Sequence, residues 1–149
     1  MNIDQKIEKI LEILRKRHWS IGVMESCTGG ALANAVTNIP GSSDVFNGGL
    51  VTYSNEAKIR AGVEEKMIKE NGVYSMNVAE DMARKVEGNV GVGVTGNLPG
   101  EVFVVIRIGN EVERMKLEVE IEDKDRVKAR KGMKVEVVKK TVEMIIDSL

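Results

Sequence analysis

Ser26 and Cys27 stand side by side in Glu25-Ser26-Cys27-Thr28-Gly29-Gly30, two candidate nucleophiles ahead of a pair of glycines. A hydroxyl or thiol on a tight strand-to-helix turn reaches the carboxyl edge of a sheet, where open α/β sheets bind ligands, and can attack an electrophile there. The glycines let a ligand approach the backbone. The N–H groups around Thr28, Gly29 and Gly30 can then hold an oxyanion or a phosphate. Only one of two adjacent side chains can face the substrate. Ser26 is the first candidate, and Cys27 is its rival, because thiols at helix N-termini can have lowered pKa values. The same residues also suit a plain helix cap, with Ser26 accepting from the first turn. Pattern alone leaves both readings open.

A serine nucleophile needs a base. The chain has one histidine, His18, which borders the first helix and makes a Ser-His-Asp triad improbable. Phe46-Asn47-Gly48-Gly49-Leu50-Val51-Thr52-Tyr53-Ser54-Asn55-Glu56-Ala57-Lys58 instead places a tyrosine at a strand end and a lysine one helical turn later. Lysine acts as a general base when burial brings its pKa toward neutrality, and Tyr53 could relay a proton or orient the serine. The competing reading is a surface lysine beside a half-buried tyrosine.

These residues require elements to position them. Ile3, Ile7, Ile10, Leu11 and Leu14 recur at helical spacing and predict a helix over residues 3–17. Strands are expected at Ile21–Glu25, Gly48–Tyr53 and Val90–Thr95, with a small-residue helix at Ala31–Thr37 stopped by Pro40-Gly41. Asn55 is expected to cap a short helix, and Asn77-Val78-Ala79-Glu80 has the spacing of a capping box opening a helix to about Val86. Val102–Ile108 and Val112–Ile121 read as a hairpin joined at Gly109-Asn110, and the tail as a long helix interrupted near Gly132. Strands alternating with helices, plus a hairpin, predict a three-layer α/β/α sandwich with a mixed, mostly parallel sheet, as one domain over residues 1–149.

Composition narrows the function classes. With 42% hydrophobic and 30% charged residues and a net charge of -1, the chain reads as globular, without the basic face that nucleic acid requires. One cysteine and one histidine exclude an intrachain disulfide and argue against a metal site. No apolar run approaches the roughly 20 residues that span a bilayer, and the first residues lack a signal-peptide block. A cytoplasmic location without membrane association is expected.

Four blocks occur in order: Glu25-Ser26-Cys27-Thr28-Gly29-Gly30; Pro40-Gly41-Ser42-Ser43 with Phe46 and Gly48-Gly49; Tyr53-Ser54-Asn55 with Lys58; and Gly93-Val94-Thr95-Gly96. Together they resemble the C-terminal domain of the competence/damage-inducible protein CinA and its stand-alone relatives. Arg126 and Arg130 fall where that family carries arginines before its last helix. The resemblance implies an amidase that converts nicotinamide mononucleotide to nicotinate mononucleotide and ammonia in pyridine-nucleotide salvage. By motif, Ser26 would be its nucleophile, Lys58 its base and Tyr53 an assisting residue. Thr95 would contact the substrate, and Arg126 or Arg130 would meet its phosphate, as arginine pairs bidentately with such groups. Neither metal nor organic cofactor is implied, and the expected partners are the nucleotide and a second copy of the chain in a homodimer. After Gly96 the family's glycine-rich Gly-Pro stretch is reduced to Asn97-Leu98-Pro99-Gly100. That departure implies an opened or altered pocket. The alternative function is therefore a catalytically impaired or differently specific homologue that binds a nucleotide or a protein partner in the same cleft.

Overall fold

A computed structural model describes residues 1–149. The chain begins with α1 (Ile3–Arg17), β1 (Ile21–Glu25) and α2 (Ala31–Thr37), followed by a 3-10 turn at Ser42–Asp44 and β2 (Phe46–Val51). Three short helices follow, α3 (Asn55–Arg60), α4 (Glu65–Asn71) and α5 (Met76–Lys85). β3 (Val90–Gly96), β4 (Gly100–Ile108) and β5 (Glu111–Val119) then lead into α6 (Arg126–Ser148).

The sheet order is β2-β1-β3-β4-β5. β1 pairs in parallel with both β2 and β3, while β4 runs antiparallel to β3 and β5. Four strands thus share one direction and β4 alone opposes them. β1 and β3 are buried throughout, as expected for strands covered on both faces. On one face α1, α2 and α6 close over Ile7, Leu14, Val23, Val92, Val104 and Val138. On the other, α4 and α5 pack Val63, Ile68, Val78 and Met82 against Met24. The three-layer α/β/α arrangement expected from the sequence is present. No helix is long and apolar enough to cross a membrane.

Glycines on the strands set how closely the layers approach. A Cβ added at Gly93 would lie 2.1 Å from the carbonyl oxygen of Ala79, so α5 rests directly on the β3 backbone. Arg107 on β4 completes that end of the molecule. Its guanidinium donates to the carbonyls of Ala83, Val86 and Gly88, which α5 and its exit leave without helical partners.

Several boundaries differ from those expected. β2 begins at Phe46 and ends at Val51, and Ser54 rather than Asn55 caps α3, its hydroxyl accepting from Ala57 N at 3.0 Å. Ser75 rather than Asn77 caps α5, because its hydroxyl is the one that reaches the Val78 amide. β5 stops at Val119, short of Ile121, and α4 was not expected at all. α6 runs unbroken through Gly132. That glycine serves contact: a Cβ there would sit 2.9 Å from Ile121 Cδ1, so its absence lets the β5–α6 connection lie against the helix.

The Gly93–Ala79 approach gives a direct test. Gly93→Ala is expected to cost about 3 kcal/mol, the upper part of the usual overpacking range. Urea denaturation followed by far-UV circular dichroism measures it, and an unchanged midpoint would refute the packing assigned to α5.

Candidate active site

The turn after β1 is built around an acid. Glu25 is the last residue of the strand, and its carboxylate is fully buried with no cation beside it. It accepts from the Thr28 hydroxyl at 2.5 Å and from the amides of Gly30 at 3.0 Å, Leu32 at 3.1 Å and Ala33 at 2.9 Å. Gly30 at the N-cap of α2 offers no side chain, so Glu25 takes over the capping and also meets the positive end of the helix. The chain can return to its own strand end only through a left-handed bend, at Gly29 (φ 62) and Gly30 (φ 101).

This clamp changes what the turn offers a ligand. Of the amides expected to face a substrate, that of Gly30 is already taken by Glu25. Gly29 N–H donates to Ser26 O at 2.9 Å. The N–H groups of Cys27 and Thr28 are left without an acceptor in another residue. Of Thr28, Gly29 and Gly30, the structure therefore leaves only the Thr28 amide open, while the Thr28 side chain and the two glycines build the turn.

Strand alternation separates the neighbouring side chains. Glu25 points toward α2, so Ser26, two residues beyond Met24, faces the α3–α5 layer. There Lys58 of α3 lies with its Nζ 3.0 Å from Ser26 Oγ and donates to Thr52 O at 2.8 Å. Lys58 is only 1% exposed and forms no ion pair with any carboxylate. Burial holds its pKa below the ordinary lysine range; a Cys27 thiolate would oppose this only at high pH. Cys27 packs into the opposite core with Val23 and Leu32, and burial pushes its thiol up to about 11. At neutral pH it is a protonated, enclosed thiol, which removes the lowered pKa that would have made it a rival to Ser26.

The remaining candidates disperse. Tyr53 is 63% exposed beyond the end of β2, and its hydroxyl has no hydrogen bond to Ser26 or Lys58. The chain places Thr52 inward, and Tyr53 therefore turns outward. Thr95 is fully buried, with its hydroxyl donating to Val73 O at 3.1 Å, so it ties the α4–α5 connection to the sheet. Arg126 and Arg130 line a cavity of about 600 Å³ with Leu98, Pro99, Asp123 and Met133; neither Ser26 nor Lys58 lines it. Arg130 donates to Leu98 O at 2.5 Å, which fixes the short β3–β4 loop to α6. No group of three or more His, Cys, Asp or Glu side chains is arranged to hold a metal ion.

Three contributors were not foreseen. Glu25 looked like the end of a strand; the available signal was a helix that starts with glycine and small residues and has no Ser, Thr, Asp or Asn cap. Thr52 looked like an ordinary strand residue. Lys134, one turn beyond Arg130, brings its Nζ to 3.1 Å from the position a Gly29 Cβ would take, so α6 leans a cation over the nucleophile turn. Nothing in its local spacing separates it from the other lysines of α6.

A family model for the CinA C-terminal domain matches residues 3–145. The chain belongs to that family. A CinA-like protein of Chloroherpeton thalassium is 48% identical over 94 residues, covering 60% of this chain and 22% of that protein. A Moorella thermoacetica protein whose name refers to competence-damage induction is 50% identical over 99 residues, covering 62% of this chain and 24% of its own length. The chain thus spans about a quarter of the length of these curated relatives. Among solved structures, the competence/damage inducible protein CihA of Agrobacterium tumefaciens superposes with a TM-score of 0.86 at 28% identity, covering 97% of this chain and 94% of that one. The competence damage-inducible protein A of Klebsiella pneumoniae superposes at 0.89 with 18% identity over 99% and 96% of the two chains, and this shows a shared fold.

The Glu25 clamp is open to test. Glu25→Gln keeps the shape but replaces a charged acceptor with a neutral amide, and is expected to cost about 2 kcal/mol. Chemical denaturation measures this, and a loss below a few tenths would show that the carboxylate is not what holds the turn.

Proposed function

We propose that this chain is an amidohydrolase that deamidates nicotinamide mononucleotide through Ser26 as nucleophile and Lys58 as base. The observation that carries this reading is the 3.0 Å approach of a buried, carboxylate-free Lys58 Nζ to Ser26 Oγ at the edge of the sheet. Family membership and the resemblance of the turn support the substrate. In the first step Lys58 takes the hydroxyl proton while Ser26 Oγ attacks the carboxamide carbon. The Thr28 amide donates to the developing oxyanion. The C–N bond then breaks, and the proton held by Lys58 leaves with the amine as ammonia. Water attacks the resulting ester, releasing nicotinate mononucleotide as the carboxylate and restoring the Ser26 hydroxyl.

Lys134 of α6 leans over Gly29 beside the turn and supplies positive charge for the phosphate, with Arg126 further back at the start of the same helix. Tyr53, exposed at the mouth, contributes a contact surface and not a proton. A second reading, a homologue with a different nucleotide substrate, is favoured by one observation: Arg130 is engaged with Leu98 O in a cavity that Ser26 does not line.

Ammonia release from nicotinamide mononucleotide tests both readings. The unaltered protein is expected to release ammonia. Ser26→Ala and Lys58→Met are expected to lose at least about a thousandfold in kcat/KM, while Cys27→Ala and Tyr53→Phe stay within about threefold. No release from the unaltered protein at high substrate concentration would leave only the second reading, and equal release from Ser26→Ala would remove Ser26 as nucleophile.

The pH dependence has a definite sign. Only the neutral amine accepts a proton, so kcat/KM is expected to rise with pH through the titration of Lys58, below the ordinary lysine range. The folded chain also holds this proton less tightly than the unfolded chain. The contribution of Lys58 to stability is therefore complete above the ordinary lysine pKa and is lost as pH falls through the folded value. Lys58→Met should accordingly gain stability relative to the unaltered protein as pH falls across that window. A constant difference, measured by thermal melts at a series of pH values, would contradict a depressed Lys58 pKa.

A further inference from the structure

Thr52 has a buried hydroxyl that nothing in the protein satisfies. The residue is 4% exposed, and its Oγ1 is the one buried side-chain polar atom without a hydrogen-bond partner. Such a group costs free energy unless it has a use, and native structures rarely keep one. Its backbone is already committed on both sides. Thr52 N donates to Glu25 O at 2.9 Å, continuing the parallel β1–β2 register, and Thr52 O accepts from Lys58 Nζ at 2.8 Å. That register places Thr52 opposite Ser26, with both side chains on the α3 face of the sheet.

Lys58 presents the complementary deficit. A lysine ammonium carries three donors. One meets Ser26 Oγ and one meets Thr52 O, which leaves a third N–H in a buried site with no acceptor. The unused donor and the unused acceptor thus belong to two residues already joined by a 2.8 Å hydrogen bond.

We propose that Thr52 is a positioning residue for the Ser26–Lys58 pair, its Oγ1 turning about χ1 to accept the third N–H of Lys58 when that lysine carries the proton taken from Ser26. The inference rests on the amidase reading for its kinetic consequence, but not for the hydrogen bond itself. When Lys58 is neutral, its N–H is a weak donor and the hydroxyl stays unpaired. When Lys58 is protonated, the same contact is charge-assisted and about twice as strong. The stabilisation therefore appears mainly in the charged state reached during acyl transfer, where it lowers a barrier instead of strengthening ground-state binding. No atom is gained or lost. The proton passes from Ser26 Oγ to Lys58 Nζ and then to the departing amine.

The other ionisable groups around Lys58 do not supply this contact. Cys27 on the nucleophile turn has its thiol raised by burial, and Glu25 on β1 serves α2 on the opposite face. Asp81 on α5 accepts from Glu64 N and pairs with Lys85, Lys134 on α6 reaches Gly29, and Glu56 and Arg60 on α3 itself are exposed.

Two measurements test the proposal. In the protein without substrate, the Lys58 side chain is titrated by NMR with 13C-labelled lysine. Thr52→Val is expected to lower its pKa by about one pH unit, as loss of one hydrogen bond to the charged form requires, and Thr52→Ser to restore it. In the ammonia-release assay, Thr52→Val is expected to lower kcat about tenfold with little change in KM, and to move the rising limb of the pH profile to lower pH. Thr52→Ser should recover both. An unmoved Lys58 titration in a folded Thr52→Val protein overturns the proposal whether or not the chain is an amidase. A normal titration shift without any ammonia release from the unaltered protein would instead sink the amidase reading and leave the hydrogen bond standing. If Thr52→Ser fails as Thr52→Val does, the residue acts through packing and the proposal is wrong.

Discussion

Burial of the Lys58 amine against Ser26 is the constraint that organises this end of the molecule. An ammonium removed from water and given no carboxylate is expensive, and burial accordingly holds the Lys58 pKa below the ordinary lysine range. The neighbouring elements fix where the amine sits. Ser54 caps α3 so that Lys58 enters from a fixed helical turn, Thr52 O supplies an acceptor at 2.8 Å, and the end of β2 is held by Glu25 O. A carboxylate beside Lys58 would have stabilised the ammonium and raised its pKa. The acid nearest in sequence to Ser26 is accordingly kept on the far face of the same strand.

That separation follows from the two-residue repeat of a strand. Glu25 and Ser26 are adjacent, yet one side chain turns to α2 and the other to α3, so a structural charge and a reactive hydroxyl share a turn without sharing an environment. Glu25 has four donors and needs no cation, because amides at the start of a helix already favour a negative group. Its occupancy of those amides also decides what the turn cannot do. A phosphate cannot seat itself on α2, so any phosphate recognition must come from elsewhere, and the cation leaning over the turn, Lys134, belongs to α6.

The sequence was most informative where chemistry and geometry demand the same residue type. Ser26 before two glycines, and Lys58 a turn after a strand end, stand out because few other roles require that order. The periodic apolar residues of α1 and the alternating ones of β5 likewise specify their elements, as binary patterning normally does. The sequence was least informative where a residue acts through a partner distant in the chain. Glu25 reads as a strand terminus until α2 folds back over it, and Thr52 reads as strand propensity until α3 brings Lys58 to its carbonyl. Gly132 suggested a broken helix because glycine lowers helix propensity, but the missing Cβ accommodates Ile121 across the connection. α4 escaped notice because Ile68 is its one buried residue, too little to make a period.

The short β3–β4 loop is tied to α6 and not to Ser26 or Lys58. Asn97-Leu98-Pro99 turns β3 directly into β4, Leu98 is buried, and its carbonyl accepts from Arg130. None of these contacts involves the side chains of Ser26, Thr52 or Lys58, although Ser26 N donates to Val94 O of β3 at 3.0 Å, two residues before that strand ends. The loop thus shapes the cavity lined by Arg126 and Arg130, which neither Ser26 nor Lys58 lines. α6 runs from that cavity to the turn after β1. It places Arg126 and Arg130 in the cavity and, one turn further on, sets Lys134 over Gly29.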